Sequence, residues 1–179
     1  NVVQEDAYIV SYSGGTTVRN FTLRQTMYDY DFFNRSTTTS GNGDPALSTP
    51  SANEVLQATL QHVVATYSAV DGRRIYVNGE LVAGPDPVAA GLLTDWNDTF
   101  ALVLGNEVSN DRTWEGVVRM VAIHNRALSQ PQIQQNFDAG VGERFYLLYS
   151  VAHLINVPQS YLMFEVSQFD SYSYLFNRP

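Results

Sequence analysis

Apolar and polar residues alternate along most of the chain with a period of two, which is typical of strands with one buried face. The clearest alternation lies between Gln61 and Phe137. Within it, Asn78-Gly79 separates two strand-forming runs and predicts a tight hairpin turn, because both residues tolerate a positive φ. Residues 7–13 alternate in the same way before Gly14-Gly15 predicts a turn. The pattern therefore predicts an all-β fold of short strands.

Four further runs between residues 62 and 127 are predicted to be strands. HVVATYS and RRIYVNGELV lie on either side of a Val-Asp-Gly turn, and FALVLGNE follows later. The run WEGVVRMVAIHNRA alternates around a polar turn, so we expect it to run through a sheet as well. The run GPDPVAAG is not expected to form a central strand, because proline has no backbone N–H for the ladder.

A single short helix is predicted after these strands. Ser129 is the expected N-cap, and Gln132 stands three residues later, at the capping-box position. Ile133 and Phe137 share one face, and Gly140 ends the helix. We expect this helix to close one open end of a sandwich.

The last part of the chain, residues 142–179, is denser in Leu, Phe and Tyr than a surface segment should be. RFYLLYS and YLMFEVS predict strands, which either join the sandwich or begin a second β domain. Such strands would expose an unpaired edge if nothing covered them. We therefore divide the chain into a sandwich, 1–141, and a C-terminal β extension, 142–179, that packs on the sandwich, another domain or a partner chain. We also expect the native polypeptide to be longer than this sequence.

The charge balance argues against a nucleic-acid partner. The 179 residues carry 18 acidic and 10 basic side chains, giving a net charge of -8, and every basic residue is Arg. Binding to phosphate backbones needs clustered positive charge. The chain has no Cys, so its core must form without disulfides. No apolar run is long enough to cross a bilayer, so no membrane span is expected.

The pattern of acidic residues argues against catalysis. A retaining glycosidase needs two carboxyl groups about 5 Å apart on one face. Asp29 and Asp31 share a strand face but have no third acidic partner, so we interpret them as a solvated face. No nucleophile elbow or phosphate-binding loop motif occurs either. The sequence therefore predicts a protein that is not an enzyme.

Two loops are rich in the oxygen-bearing side chains that calcium prefers, TDWNDT and GNEVSND. The same residues are also good turn formers, because Asn and Asp side chains bond their own backbone. Both interpretations stay open. The candidate metal ligands are Asp95, Asp98, Glu107 and Asp111, with Asn97, Asn106 and Asn110 as neighbouring oxygen donors.

The three histidines do not have the spacing of a transition-metal site. His62, His124 and His153 are far apart in sequence and lie in strand patterns. We interpret them as strand histidines whose hydrogen bonds are satisfied.

Trp96 is the best candidate for stacking on a sugar ring, because it lies in a loop between polar residues. Trp114 directly precedes a predicted strand, so packing is the favoured role there. The candidate ligand-binding residues are Trp96, Asp95, Asn97, Asp98 and Asn106.

The strand and helix motifs together carry a family resemblance. HVVATY…DGRRIYVNGELV, LVLGNE…DRTWEGVVRMVAIHNRALS and PQIQQNF resemble the laminin-G-like and pentraxin-like group of concanavalin-type sandwiches. The earlier AYIVSYSGG and NFTLRQ…YDYDF are similar to preceding strands, so the likeness covers about 4–137. The family often has Trp where this chain has Gln61, and often an acidic residue near Arg119. These departures weaken the transfer of a particular ligand site.

The resemblance implies a two-sheet antiparallel jelly-roll sandwich, concanavalin-like, with one short helix and extra C-terminal β segments. It also implies an extracellular, cell-surface or periplasmic module that binds glycan or protein, often with Ca²⁺ at the rim. One hypothesis is a binding or adhesion module with its site on the two loops. The alternative is a structural assembly module that makes protein contacts in a surface or filamentous complex. A glycoside hydrolase-like enzyme is the third and least favoured hypothesis.

Overall fold

The computed structural model describes residues 3–140 and, as backbone alone, residues 144–150 and 161–167. This part of the chain holds ten strands and one α-helix. The strands are β1 (Gln4–Gly15), β2 (Val18–Met27), β3 (Asp29–Asn34), β4 (Leu47–Ser48), β5 (Val63–Ser68), β6 (Gly72–Val77), β7 (Glu80–Asp86), β8 (Ala101–Leu104), β9 (Arg144–Ser150) and β10 (Tyr161–Ser167), and the helix is α1 (Gln130–Ala139).

Two antiparallel sheets form the sandwich. The larger sheet has the strand order β4-β3-β2-β1-β8, and the smaller one has the order β5-β6-β7. Tyr30 and Phe32 of β3 form a buried cluster with Ile75 and Val77 of β6, and Leu56 completes it. Because side chains alternate along a strand, the other face of β3 points away from this core. The prediction of an all-β antiparallel sandwich is confirmed.

The predicted hairpin at Asn78-Gly79 is confirmed. Both residues have a positive φ, 53° and 87°, as the tight turn requires. The backbone N–H of Asn78 donates to His62 O at 2.8 Å, and the Asn78 side chain accepts from the His62 N–H at 2.9 Å. Gly79 has a second constraint, since a Cβ there would collide with the amide of Gln134.

The predicted helix is confirmed, including its start. The Gln132 side chain accepts a hydrogen bond from the Ser129 N–H at 3.0 Å, which is half of a capping box. Ile133 is fully buried, and Gly140 ends the helix with a φ of 71°. Gln130 donates to Gly79 O at 3.3 Å, so α1 lies at one end of the smaller sheet.

The predicted strand at 114–127 is wrong. Residues 115–128 belong to no strand or helix of the described chain. Val117 and Ile123 fall on one face of the alternating run, and Met120 falls on the other. All three side chains are exposed, so neither face is buried. Alternation shows that a strand could form, but a strand also needs a neighbour that supplies ladder hydrogen bonds. Beyond Trp114, whose N–H donates to Gly105 O, the described part of the run makes no backbone–backbone hydrogen bond to a strand, and Glu115 bonds only the side chain of Gln4 in β1.

Strands β9 and β10 pair with each other in a separate antiparallel ladder. The chain divides into two compact units, Asn1–Phe137 and Asp138–Pro179. The predicted boundary at residue 141, and the covering of the tail by a partner, stay predictions. Among the described residues, no helix has the length and apolar character needed to span a bilayer.

Candidate functional site in the loops around strand β8

The two loops predicted to form a binding site lie at opposite ends of β8. Residues 94–99 precede this four-residue strand, and residues 105–111 follow it, so roughly 13 Å of strand separates them. They also contact opposite faces of the larger sheet. Trp96 lies against Tyr12, whereas Glu107 bonds Ser11 and Ser13, the neighbours of Tyr12 in β1. The structure therefore does not bring the two loops into one site.

Trp96 is built into the sandwich. Its ring packs against Tyr12 and Phe21, with centroid distances of 6.1 Å and 5.8 Å. Its indole N–H donates to Arg35 O at 2.8 Å. Both the ring and the polar atom of Trp96 thus have partners within the chain.

Asn97 anchors the first loop through its backbone. Its N–H donates to the Asn20 side-chain oxygen at 2.8 Å, and its carbonyl accepts from the Asn20 amide at 2.7 Å. Asn20 is fully buried in β2 and was not foreseen as an anchor, because its position looks like an ordinary strand position. Asp95 and Asp98 are exposed on this loop, and neither forms an ion pair with any described residue.

Asn106 organises the second loop from its centre. Its side-chain oxygen accepts from the N–H groups of Glu107 and Arg112, at 2.8 Å and 3.0 Å. Its amide nitrogen donates to Asn110 and Thr113, at 2.9 Å and 3.1 Å. The side chain of Asn106 is therefore used to close the turn, as the turn-forming interpretation expects.

Glu107 is a buried carboxylate on the outer face of the larger sheet. It accepts hydrogen bonds from the hydroxyls of Ser11, at 3.3 Å, and Ser13, and from the Val108 N–H at 2.9 Å. These donors satisfy the carboxylate in a place where an unpaired charge would be costly. Asp111, by contrast, is exposed and accepts a hydrogen bond from Ser109.

The four candidate metal ligands do not converge. Calcium prefers six to eight oxygen ligands around one point. Asp95 and Asp98 lie before β8, while Glu107 is turned inward onto serine hydroxyls and Asp111 points to solvent. Within the described residues, no three Asp, Glu, His or Cys side chains are grouped so that they could hold a metal ion. The loops as they stand do not fit calcium, and its binding stays a prediction.

Asp31 is not the solvated residue that its strand position suggested. It is buried, and it accepts from Arg24 Nε and from the Thr26 hydroxyl, both at 2.9 Å, and from the Ser48 hydroxyl at 2.5 Å. Arg24 also pairs with Asp6 at 2.5 Å. The interpretation of a solvated face is wrong for Asp31, because a cation and two hydroxyls replace water around it.

Arginine side chains cover the aromatic rings on the same outer face. The Arg19 guanidinium lies 5.2 Å from the Tyr8 ring centroid and 4.8 Å from that of Phe33, and Arg24 lies 4.7 Å from the Phe33 centroid. Arg19 also donates to Asn42 at 2.7 Å. The rings of Tyr8 and Phe33 are therefore covered by cations, and the Asp31 and Glu107 carboxylates already accept hydrogen bonds. Sequence alternation gave no sign of buried arginines, which are usually exposed.

The histidine interpretation is wrong for His62. Its Nδ1 is buried and has no hydrogen-bond partner within the described chain. The ring stacks on Phe137, with centroids 6.2 Å apart. Burial lowers the pKa of His62 below its ordinary value of 6.5, since the charged form loses hydration. His124 lies in the exposed run that forms no strand, and His153 falls outside the described residues.

Comparison with known proteins places this sandwich in a family. No curated protein matches the chain. A structure of residues 221–444 of an S-layer domain-containing protein from Clostridium thermocellum is similar at 20% identity and a TM-score of 0.38, and the similarity covers 74% of this chain and 64% of that one. A laminin-G family, described as concanavalin A-like lectin/glucanases superfamily, matches residues 1–134. The chain therefore belongs to the concanavalin A-like lectin/glucanases superfamily.

Proposed function

We propose that this chain is a non-catalytic module that makes protein–protein contacts in an extracellular or cell-surface protein. The observation that carries the proposal is an exposed apolar run, residues 116–126, which we name the docking segment. Val117 is 78% exposed and Ile123 is 60% exposed, and Val118, Met120 and Val121 are exposed between them.

A run with this many exposed apolar side chains favours contact with a partner. Isolated exposed apolar residues are ordinary, but soluble proteins rarely expose a long continuous patch without a use for it. Leu102 and Leu104 of the edge strand β8 are exposed as well. An open sheet edge with apolar side chains is the kind of surface that another protein covers.

Protein contact is better supported than glycan binding in this chain. Sugar sites use an aromatic face that is free for stacking, and polar groups that are free to bond hydroxyls. Trp96 and Asn106, the main glycan candidates, already have partners within the sandwich. Glycan binding at Asp95, Trp96, Asn97, Asp98 and Asn106, assisted by calcium or not, stays the alternative.

Photo-cross-linking tests the proposed function. A benzophenone amino acid is placed at Val121 in the docking segment and, as a matched control, at the exposed Thr59 on another part of the surface. We expect protein adducts from position 121 of the protein in its native assembly, and none from position 59. Absence of adducts at position 121 would overturn the proposal, and glycan binding that Trp96→Ala abolishes would favour the alternative.

A stability measurement tests separately whether the docking segment is exposed and free to contact a partner. Because their side chains are exposed, the double substitution Val117→Ser and Ile123→Ser should change the free energy of unfolding by less than about 1 kcal/mol. Ile75→Ser, in the fully buried core, should cost several times more. Equal losses in the two variants would show that the segment is packed inside the protein and is not free for a partner.

A further inference from the structure

The docking segment differs in charge from the rest of this acidic protein. The chain has a net charge of -8, yet no Asp or Glu occurs from Gly116 to Phe137. Arg119 and Arg126 lie in this stretch and are exposed. The segment is therefore an apolar surface with a positive charge at its centre and at its end.

A second exposed apolar surface has the opposite charge. We name it the acidic end, and it consists of Val88, Leu92, Leu93, Asp95 and Asp98. Val88 is 79% exposed and Leu92 is 59% exposed. Asp95 and Asp98 follow closely along the chain and are exposed, without an ion pair to any described residue. This surface is apolar with uncompensated negative charge.

The loop that carries the acidic end is held in place by the sandwich. Leu92 donates through its backbone N–H to the Thr37 hydroxyl at 3.0 Å, and its carbonyl accepts from the Thr37 N–H at 2.9 Å. The Tyr67 hydroxyl donates to Gly91 O at 2.9 Å. A surface fixed in this way loses little conformational entropy when a partner binds it.

The two surfaces lie at opposite ends of the sandwich. At one end of β6, a Cβ on Gly72 would contact the Ala90 backbone at 3.3 Å, next to the acidic end. At the other end of β6, Gly79 O accepts from Gln130 of α1, the helix that follows the docking segment. Strand β6 separates these ends by roughly 20 Å.

Contacts with the larger sheet also place the two surfaces at opposite ends of the sandwich. Glu115, just before the docking segment, accepts through its carbonyl from Gln4 at the start of β1, at 2.9 Å. Asn97, in the acidic end's loop, bonds Asn20 near the start of β2, which pairs with the far end of β1. One copy of the chain therefore cannot bring its two surfaces together.

We propose that the docking segment of one copy binds the acidic end of a second copy, so that the chain associates with itself head to tail. This inference rests on the proposed function and names the partner. The two surfaces match in apolar character and are opposite in charge, which favours their approach and fixes their orientation. Because the contact joins different surfaces, each dimer keeps one free surface of each kind. Such contacts build rings or open filaments.

A charge-swap experiment tests the inference. One variant carries Asp95→Arg and Asp98→Arg, and the other carries Arg119→Glu and Arg126→Glu. All four side chains are exposed, and circular dichroism with thermal melting serves as the folding control. In each variant alone, both surfaces carry the same sign of charge. Sedimentation equilibrium should show the dissociation constant rising at least about tenfold over that of the unchanged chain.

Mixing the two variants should restore association, because each surface of one variant then meets an oppositely charged surface of the other. Association of the unchanged chain should also weaken as salt rises to about 1 M, where the Debye length falls to about 3 Å. An unchanged chain that stays monomeric, or a mixture that fails to associate, overturns the inference. The proposed function survives either result if position 121 still cross-links to another protein, and falls separately if it does not.

Discussion

Arg73 connects the two sheets through polar contacts, in addition to the apolar cluster between them. It lies on β6, is buried, and donates from Nε and Nη2 to the Asp86 carboxylate at 2.9 Å and 2.5 Å. Its Nη1 donates to Phe32 O of the larger sheet at 3.1 Å and to Gly43 O at 3.4 Å. Asp86 is therefore the acidic partner that neutralises a buried cation between the sheets.

Asp86→Asn keeps the size of the side chain but removes its charge. Breaking a buried ion pair costs about 3–5 kcal/mol, because the remaining charge stays buried. The Asp86 side chain is 19% exposed, and the asparagine oxygen can still accept one hydrogen bond, so the loss should lie at the lower end. We expect the free energy of unfolding to fall by about 3 kcal/mol.

Urea unfolding followed by circular dichroism measures this loss. With a slope of about 2 kcal/mol per M, the midpoint should fall by about 1.5 M. Asp71→Asn is the matched control, because Asp71 pairs with the neighbouring Arg74 at 3.2 Å but is 53% exposed. The control should lose no more than about 0.5 kcal/mol. Equal losses in the two variants would refute the reasoning that burial decides the contribution of each pair.

Three further substitutions test other parts of the structure. Ile133→Ala should destabilise the chain by about 3 kcal/mol in urea unfolding, since Ile133 is the fully buried residue of α1. A loss below about 1 kcal/mol would mean that α1 does not pack there. Trp96→Ala should lower the free energy of unfolding by about 2 kcal/mol in the same assay, because the ring packs against Tyr12 and Phe21. An unchanged midpoint would indicate that the Trp96 ring is free to stack on a ligand. His62 has a pKa lowered by burial, so the folded chain binds fewer protons than the unfolded chain and loses stability as pH falls below 6.5. His62→Gln should remove this part of the loss between pH 7.5 and 5.5, and identical pH profiles would contradict it.

Features fixed by neighbouring residues were the ones that the sequence predicted well. The Asn78-Gly79 turn depends on the φ preferences of two adjacent residues, and the start of α1 depends on Ser129 and Gln132, three positions apart. Such interactions are complete within one short stretch of chain. The turn and the helix start therefore depend little on the rest of the fold.

Features that depend on distant partners were not predicted. The alternation at 114–127 indicated a strand, but whether a strand forms depends on an edge elsewhere in the fold. Asp31 was expected in solvent because nothing nearby in the sequence shows that Arg24 and Ser48 close around it. The candidate site failed to converge for a related reason. Its two loops are close in sequence, but a strand lies between them.

The position of β1 within the larger sheet has a consequence for how the chain folds during its synthesis. Strand β1 lies between β2, which follows it directly, and β8, so that Val10 pairs with both Leu23 and Leu104. Strand β1 is made before β2 and β8, so it can form a hairpin with β2 early, but its second edge stays open until β8 has been made. Long-range pairing of this kind slows folding and leaves an edge accessible to other chains in the meantime. Nascent chains on neighbouring ribosomes could therefore exchange β8 strands.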